Sequence, residues 1–266
     1  MTASYFMTDL VADSLSSKLD VEWSDAALFT PCHNEQALLY EYADCLAVQA
    51  FLKMAELPVH LEERPNAEFM SPSGKVPFLK LQTILIPGFQ PIVDFVAKRG
   101  VNLSAGLTDA EQADMYAHMA LLEEMLRNIE IYMMWIDNRN YWQVTENRYG
   151  SVYSWPLNVI LPRLKRREMS RYLNALGWKN KSEECIIDLA DRCFKSISSK
   201  LASNDYFLSK SPTALDALAF GHLYTILTTE LPNMDLANCL RRYSNLTEFC
   251  QKIDKQYFTP KFIHVP

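Results

Sequence analysis

The residues of this 266-residue chain that could do chemistry are six cysteines, five histidines and a short run of arginines. Cys32, Cys45, Cys185, Cys193, Cys239 and Cys250 include no Cys-x-x-Cys pair. A chain of this length needs no disulfide staples, so six free thiols in a reducing compartment are expected. His33, His60, His118, His222 and His264 are scattered, with no two at metal-ligand spacing on a helix. His60 lies near Glu62 and Glu63, but the adjacent Glu62 and Glu63 point to opposite faces of a strand, which argues against a shared metal. His222 sits in an otherwise apolar stretch and reads as a core histidine with a satisfied partner. The seven glycines are spread singly, so no phosphate-cradling loop is present. No metal and no cofactor are expected.

Two surface features remain. Arg163, Arg167 and Arg171 recur every four residues and would share one face of a helix. Such a face is either solvated or meets an anionic lipid surface or an acidic partner. Trp142, Tyr149, Tyr153 and Trp155 crowd the preceding segment, where aromatic residues serve as interface anchors or as filling between helix ends. These seven residues are the candidate interaction surface.

The elements that position them are legible in outline. Glu35–Tyr40 is a short apolar run read as a strand, followed by a helix over Asp44–Leu57 with Asp44 as its N-cap. Pro58–Glu62 reads as a second strand. Val76–Leu81 and Ile84–Ile86 read as a hairpin turning at Gln82 and Thr83, and Pro91–Lys98 as a helix closed by Gly100. From Thr108 onward only helical patterns appear. Thr108 and Glu111 form a capping box for a helix reaching about Asp137. The aromatic segment Tyr141–Trp155 interrupts, and helices come after it at about 156–176, 182–201, 214–230 and 244–257. Thr213 and Asp216 form a second capping box. This predicts an α+β protein in four parts: an N-terminal extension over 1–34, a thioredoxin-like domain over 35–100, an all-helical domain over 108–258 and a tail over 259–266.

Composition excludes several classes. Hydrophobic residues at 49% and charged residues at 22% are ordinary globular usage, which rules out a disordered chain. A net charge of −6 argues against nucleic-acid binding. Asp9 and Asp13 precede the first basic residue, Lys18, the wrong charge for a secretory or mitochondrial leader. The most apolar stretch, between Asp216 and Glu230, falls short of the roughly 20 residues a spanning helix needs. An intracellular protein without a membrane span of its own is therefore expected.

The run Lys75-Val-Pro-Phe-Leu79 resembles the cis-proline loop of glutathione transferases, and Ser211-Pro-Thr-Ala-Leu-Asp-Ala-Leu resembles the capping box in their helical domain. That likeness implies a cis Val76–Pro77 bond and a glutathione-transferase-like fold. Longer blocks are similar to the metaxin family: Asn66 to Phe78, Arg148 to Asn158, Asp216 to Thr229 and Tyr243 to Leu246, in the family's order. The resemblance runs from about Glu35 to Phe258. It implies a peripheral protein on the cytosolic face of the mitochondrial outer membrane and a membrane-anchored metaxin 1-type partner. It also implies association with the β-barrel assembly machinery and, through mitochondrial transport, with motor-adaptor proteins.

The same likeness raises an enzymatic alternative. Transferases of this fold use a hydroxyl or thiol near the first helix to stabilise a bound thiolate. Tyr40 holds the matching place, with Tyr42 and Cys45 nearby. Glutathione binders also carry Glu-Ser after the hairpin, where this chain has Gly88-Phe89. Phe89 offers no hydrogen bond and adds bulk, so the resemblance implies a scaffold in place of a catalyst.

Overall fold

The computed structural model describes residues 23–32, 36 and 38–259. Most of the 1–34 extension, and all of the tail beyond Thr259, lie outside the described residues.

A four-stranded sheet forms the first half. It comprises β1 (Ala27–Thr30), β2 (His60–Glu63), β3 (Phe78–Leu81) and β4 (Ile84–Pro87), in spatial order β2-β1-β3-β4. β1 pairs in parallel with β2, setting Leu28 opposite Leu61, and antiparallel with β3, setting Leu28 opposite Leu79. β3 and β4 are the expected hairpin, and Gln82 takes the positive φ its turn needs. Parallel neighbours need a crossover. Here it is helix α1, Leu39–Met54. Helix α2, Phe89–Lys98, comes after β4, and Gly100 at φ +88° ends it.

This corrects the first strand. It is Ala27–Thr30, inside the expected extension, while Leu39 and Tyr40 already belong to α1. A short apolar run carries no period that separates strand from helix. α1 is buried on nearly every side, so no polar face marks where it starts. Asp44 is consequently not an N-cap. It lies inside α1 and pairs with Arg127 from the helical half.

The rest is helical. α3 (Asp109–Leu121) starts on the Thr108–Glu111 capping box, in which the Thr108 N–H donates to Glu111 at 2.8 Å. A π-helical turn, Leu122–Leu126, joins it to α4 (Arg127–Trp135). The extra residue of such a turn rotates the next stretch of helix about its axis, and α4 buries Asn128 and Glu130 along with its apolar residues. The aromatic segment, expected to interrupt, is instead helical for most of its length. Asn138–Asn140, the π-helical Tyr141–Thr145 and α5 (Glu146–Gly150) succeed one another directly. Then come α6 (Leu157–Ala175), α7 (Glu183–Leu201), α8 (Ala214–Thr228), α9 (Asp235–Arg241) and α10 (Ser244–Ile253), the last prolonged by the π-helical Asp254–Phe258. The pattern of the sequence does not mark α9.

One core runs through both halves. α8 is its axis, buried on almost every residue and laid against α1. Gly221 permits that contact, because a Cβ there would stand 2.4 Å from the Ala43 carbonyl oxygen and 2.7 Å from the Ala47 Cβ. α8 begins on Thr213 and Asp216: the Thr213 N–H and hydroxyl donate to Asp216 at 2.8 and 2.7 Å. The Phe207 N–H adds a third bond at 2.9 Å. Burial nevertheless pushes the Asp216 carboxyl up to about 6 against these bonds.

Candidate functional site

Two places can carry function: the ground between sheet and helices, which holds Tyr40, Tyr42 and Cys45, and the outer face of α6.

In the first, Val76–Pro77 is cis, and the Pro77 carbonyl accepts the Gly88 N–H at 2.9 Å. Phe78, next along, stacks on Phe29 of β1 at 4.8 Å. Phe89 opens α2, but its ring turns into the core, edge-on to Phe51 at 6.0 Å. It therefore offers no hydrogen bond at this position, and its bulk lies in the core.

Tyr40 lies in the first turn of α1, not at a strand end. Its hydroxyl donates to Glu41 at 3.0 Å and accepts the Trp135 indole N–H at 3.3 Å. Burial and the charge of Glu41 hold the Tyr40 phenol well above its ordinary value. Cys45, farther along α1, is buried, and burial with the charges of Asp44 and Glu41 raises its thiol far above the usual range. A reactive cysteine needs the opposite environment, exposed and electropositive. Tyr42 is half-buried, its phenol pushed up to about 12, chiefly by burial. Tyr42 and Cys45 line a small cavity of about 120 Å³ with Thr30 and Glu63.

Polar groups join the halves around this point. Burial, reinforced by Glu68, pushes the Glu41 carboxyl up to about 7. Glu68 in turn pairs with Lys165 of α6 and accepts the Tyr149 hydroxyl at 3.3 Å. Deeper in, His222 Nδ1 lies 2.8 Å from Glu130, both side chains fully buried, while its Nε2 has no hydrogen-bond partner among the described residues, so the core histidine is only half satisfied. Among the described residues no cluster of His, Cys, Asp and Glu is placed to hold a metal.

At the second place the structure divides the expected surface residues. Tyr149 is buried, edge-on to Trp135 at 5.5 Å, and Tyr153 is half-buried beside it. These two fill the space between helices. Trp142 and Trp155 are 53% and 82% exposed and do face outward, as do Arg163, Arg167 and Arg171. Arg163 and Arg167 enter an open cleft of about 430 Å³ that is also lined by Tyr141, Trp142, Arg166 and Lys179. Arg171 does not line it. Arg166, which a search for four-residue spacing passes over, is its fixed point. Its guanidinium lies 3.8 Å over the Tyr141 ring and donates to the Trp135 carbonyl at 3.0 Å and to Asn138 at 2.7 Å. Lys179, beyond the end of α6, reaches the cleft only through the fold.

Among the described residues no helix is long and apolar enough to cross a membrane. Residues 45–166 match the family model described as an outer mitochondrial membrane transport complex protein, and 190–253 match a glutathione S-transferase C-terminal domain. The chain is similar in fold to a glutathione S-transferase of Ceriporiopsis subvermispora in complex with glutathione. The TM-score is 0.60 at 12% identity, over 90% of this chain and 100% of that one. At that identity the likeness concerns the fold alone. The metaxin-2 homolog of Caenorhabditis elegans is 45% identical, over 86% of this chain and 99% of its own length. Mouse metaxin-1 is 32% identical, over 84% of this chain and 72% of its own length. Identity sustained over most of both chains, and higher toward a metaxin-2 than toward a metaxin-1, makes the protein a member of the metaxin family on its metaxin-2 side.

Proposed function

We propose that the protein is a non-enzymatic adaptor subunit of a transport complex of the mitochondrial outer membrane. It works peripherally on the cytosolic face and is held there by a membrane-anchored metaxin 1-type subunit. Through that pair it serves the β-barrel protein import and assembly machinery, and it offers a docking point for motor-adaptor proteins in mitochondrial transport.

The observation that carries the non-enzymatic reading is the state of Tyr40. Its hydroxyl is committed to Glu41 and Trp135 inside the core, and its proton is held more tightly than usual. A group that must donate to an incoming thiolate needs a free, exposed hydroxyl. Cys45 is no better placed, being buried with a raised pKa. The family match to an outer-membrane transport complex supports the setting, and the similarity to metaxin-1 proteins supports a partner built on the same fold.

Co-purification tests the reading. Tagged protein extracted from mitochondria in mild detergent is expected to bring the metaxin 1-type subunit with it in fixed ratio. Recovery of the chain alone, together with turnover of glutathione conjugates that Tyr40→Phe abolishes, would replace the adaptor with an enzyme.

A further inference from the structure

α6 carries an exposed apolar row in its first half. Leu157, Ile160 and Leu164 are 48%, 45% and 57% exposed, and Trp155, just ahead of the helix, is 82% exposed. At 3.6 residues per turn these three aliphatic positions fall within about 60° of one another. Arg163, Arg167 and Arg171 adjoin them, so that row and arginines together span roughly 120° of the helix surface. Arg167, Arg171 and Lys179 have no salt-bridge or hydrogen-bond partner among the described residues. Arg163 shares its charge with Glu146 at 3.4 Å. A second acid near this face, Glu168, is itself 3.6 Å from Lys165. No acidic side chain lines the cleft between α6 and Trp142.

An apolar row on an otherwise polar helix, flanked by arginines of which Arg167 and Arg171 are unpaired and edged by exposed tryptophans, has the composition of a helix that lies in a lipid–water interface. The cleft adds a feature that an ordinary amphipathic helix lacks. Arg166 is already immobilised by Tyr141, Trp135 and Asn138, so its guanidinium needs little further ordering to meet an anion. Arg163, Arg167 and Lys179 surround the same space.

We infer that α6 docks on an anionic phospholipid surface. The cleft takes a headgroup phosphate between Arg163, Arg166, Arg167 and Lys179, while Leu157, Ile160 and Leu164 meet the acyl boundary. Charge complementarity calls for an anionic occupant, and the apolar row and tryptophans beside the basic patch decide for lipid over an acidic protein segment, because together they form a surface suited to the headgroup layer. The contact orients the subunit and is reversible. It rests on the adaptor reading only for which membrane is met.

The test is flotation of the full chain with vesicles of phosphatidylcholine and phosphatidylethanolamine, with and without phosphatidylinositol or cardiolipin. Binding is expected only to the anionic vesicles, with a blue shift of tryptophan emission, and release is expected in high salt. Each basic residue near such a surface contributes about a fivefold gain, so Arg163→Gln with Arg167→Gln and Lys179→Gln weakens binding on the order of 100-fold. Leu157→Ser with Ile160→Ser and Leu164→Ser removes the emission shift. All six substitutions are on the surface, and an unchanged circular dichroism melt certifies the fold. Equal flotation on neutral and anionic vesicles, or binding untouched by both variants, overturns the inference. So does a thermal shift with inorganic phosphate in the absence of any flotation, which would mark a free-anion site. If the leucine variant loses the metaxin 1-type subunit but floats as before, the row is a protein interface and the inference is likewise wrong. Flotation uses the isolated chain, so its failure leaves the adaptor reading standing, and loss of the complex leaves flotation unaffected.

Discussion

Replacing Gly221 by alanine is the sharpest probe of how the two halves are joined. The added Cβ would lie 2.4 Å from the Ala43 carbonyl oxygen and 2.7 Å from the Ala47 N and Cβ. All three belong to the backbone or first side-chain carbon of α1, so no flexible side chain can swing aside. α1 and α8 would have to part by a large fraction of an ångström along a contact that is buried on both sides. Overpacking of this kind costs about 1–3 kcal/mol. The better helix propensity of alanine returns up to about 1 kcal/mol. With a rigid obstacle the upper part of the range applies, and we expect a net loss of about 2 kcal/mol. Gly106→Ala is the control, since nothing stands within 4 Å of its Cβ. It should stay within about 0.5 kcal/mol of the parent. Urea denaturation followed by circular dichroism reads both. A Gly221→Ala midpoint at or above that of the parent would show that α1 and α8 do not pack backbone to backbone, and the single shared core would have to be abandoned.

Asp216→Ala strands the buried Thr213 and Phe207 N–H groups and should cost about 2 kcal/mol in the same assay. Asp216→Asn, which keeps one acceptor, should cost less, and equal losses would argue against the capping role. Stability should also depend on pH. Glu41 and Asp216 are raised to about 7 and about 6 in the folded chain, so the fold holds protons that the unfolded chain releases. Their stabilising contribution is therefore complete below about pH 4 and is lost as pH rises through 6 and 7, at up to about 1.4 kcal/mol per unit and group. Unfolding free energy is expected to fall by a few kcal/mol between about pH 5 and pH 8, with Glu41→Gln removing part of the slope; a flat or rising profile would contradict it. Millimolar glutathione should leave the melting temperature unchanged. A ligand at 100 times its dissociation constant would add about 2.7 kcal/mol, an effect no melt could miss.

Local signals in the sequence translated well. The boxes at Thr108 and Thr213 depend on residues three apart, and the hairpin depends on its turn at Gln82 and Thr83, so both lie within a short window. Gly100 and Gly177 end helices at positive φ for the same reason. What failed depended on distant chain. Leu39 and Tyr40 look equally like strand and helix until α8 covers the helix they open. Asp44 looks like a cap until Arg127, more than eighty residues away, takes its carboxylate. Tyr141, Tyr149 and Trp142 share one segment, yet two of them are core and the third is surface, because consecutive helical residues face different sides and distant chain decides which side is covered. The surface cleft was half legible. The four-residue spacing marks Arg163 and Arg167, but Arg166 is off that spacing and Lys179 lies beyond the end of α6, so only the fold brings all four to one cleft beside Asn138. Tyr40 is a candidate by its place in the chain, but its commitment to Trp135, 95 residues away, depends on the fold.

The central claim is that a partner holds this subunit at the mitochondrial surface. Fractionation of cells lacking the metaxin 1-type subunit tests that most directly. The protein is expected to leave the mitochondrial pellet for the soluble fraction, retaining at most the weak, salt-sensitive lipid contact of α6. Full retention on mitochondria in those cells, resistant to high salt, would contradict the claim.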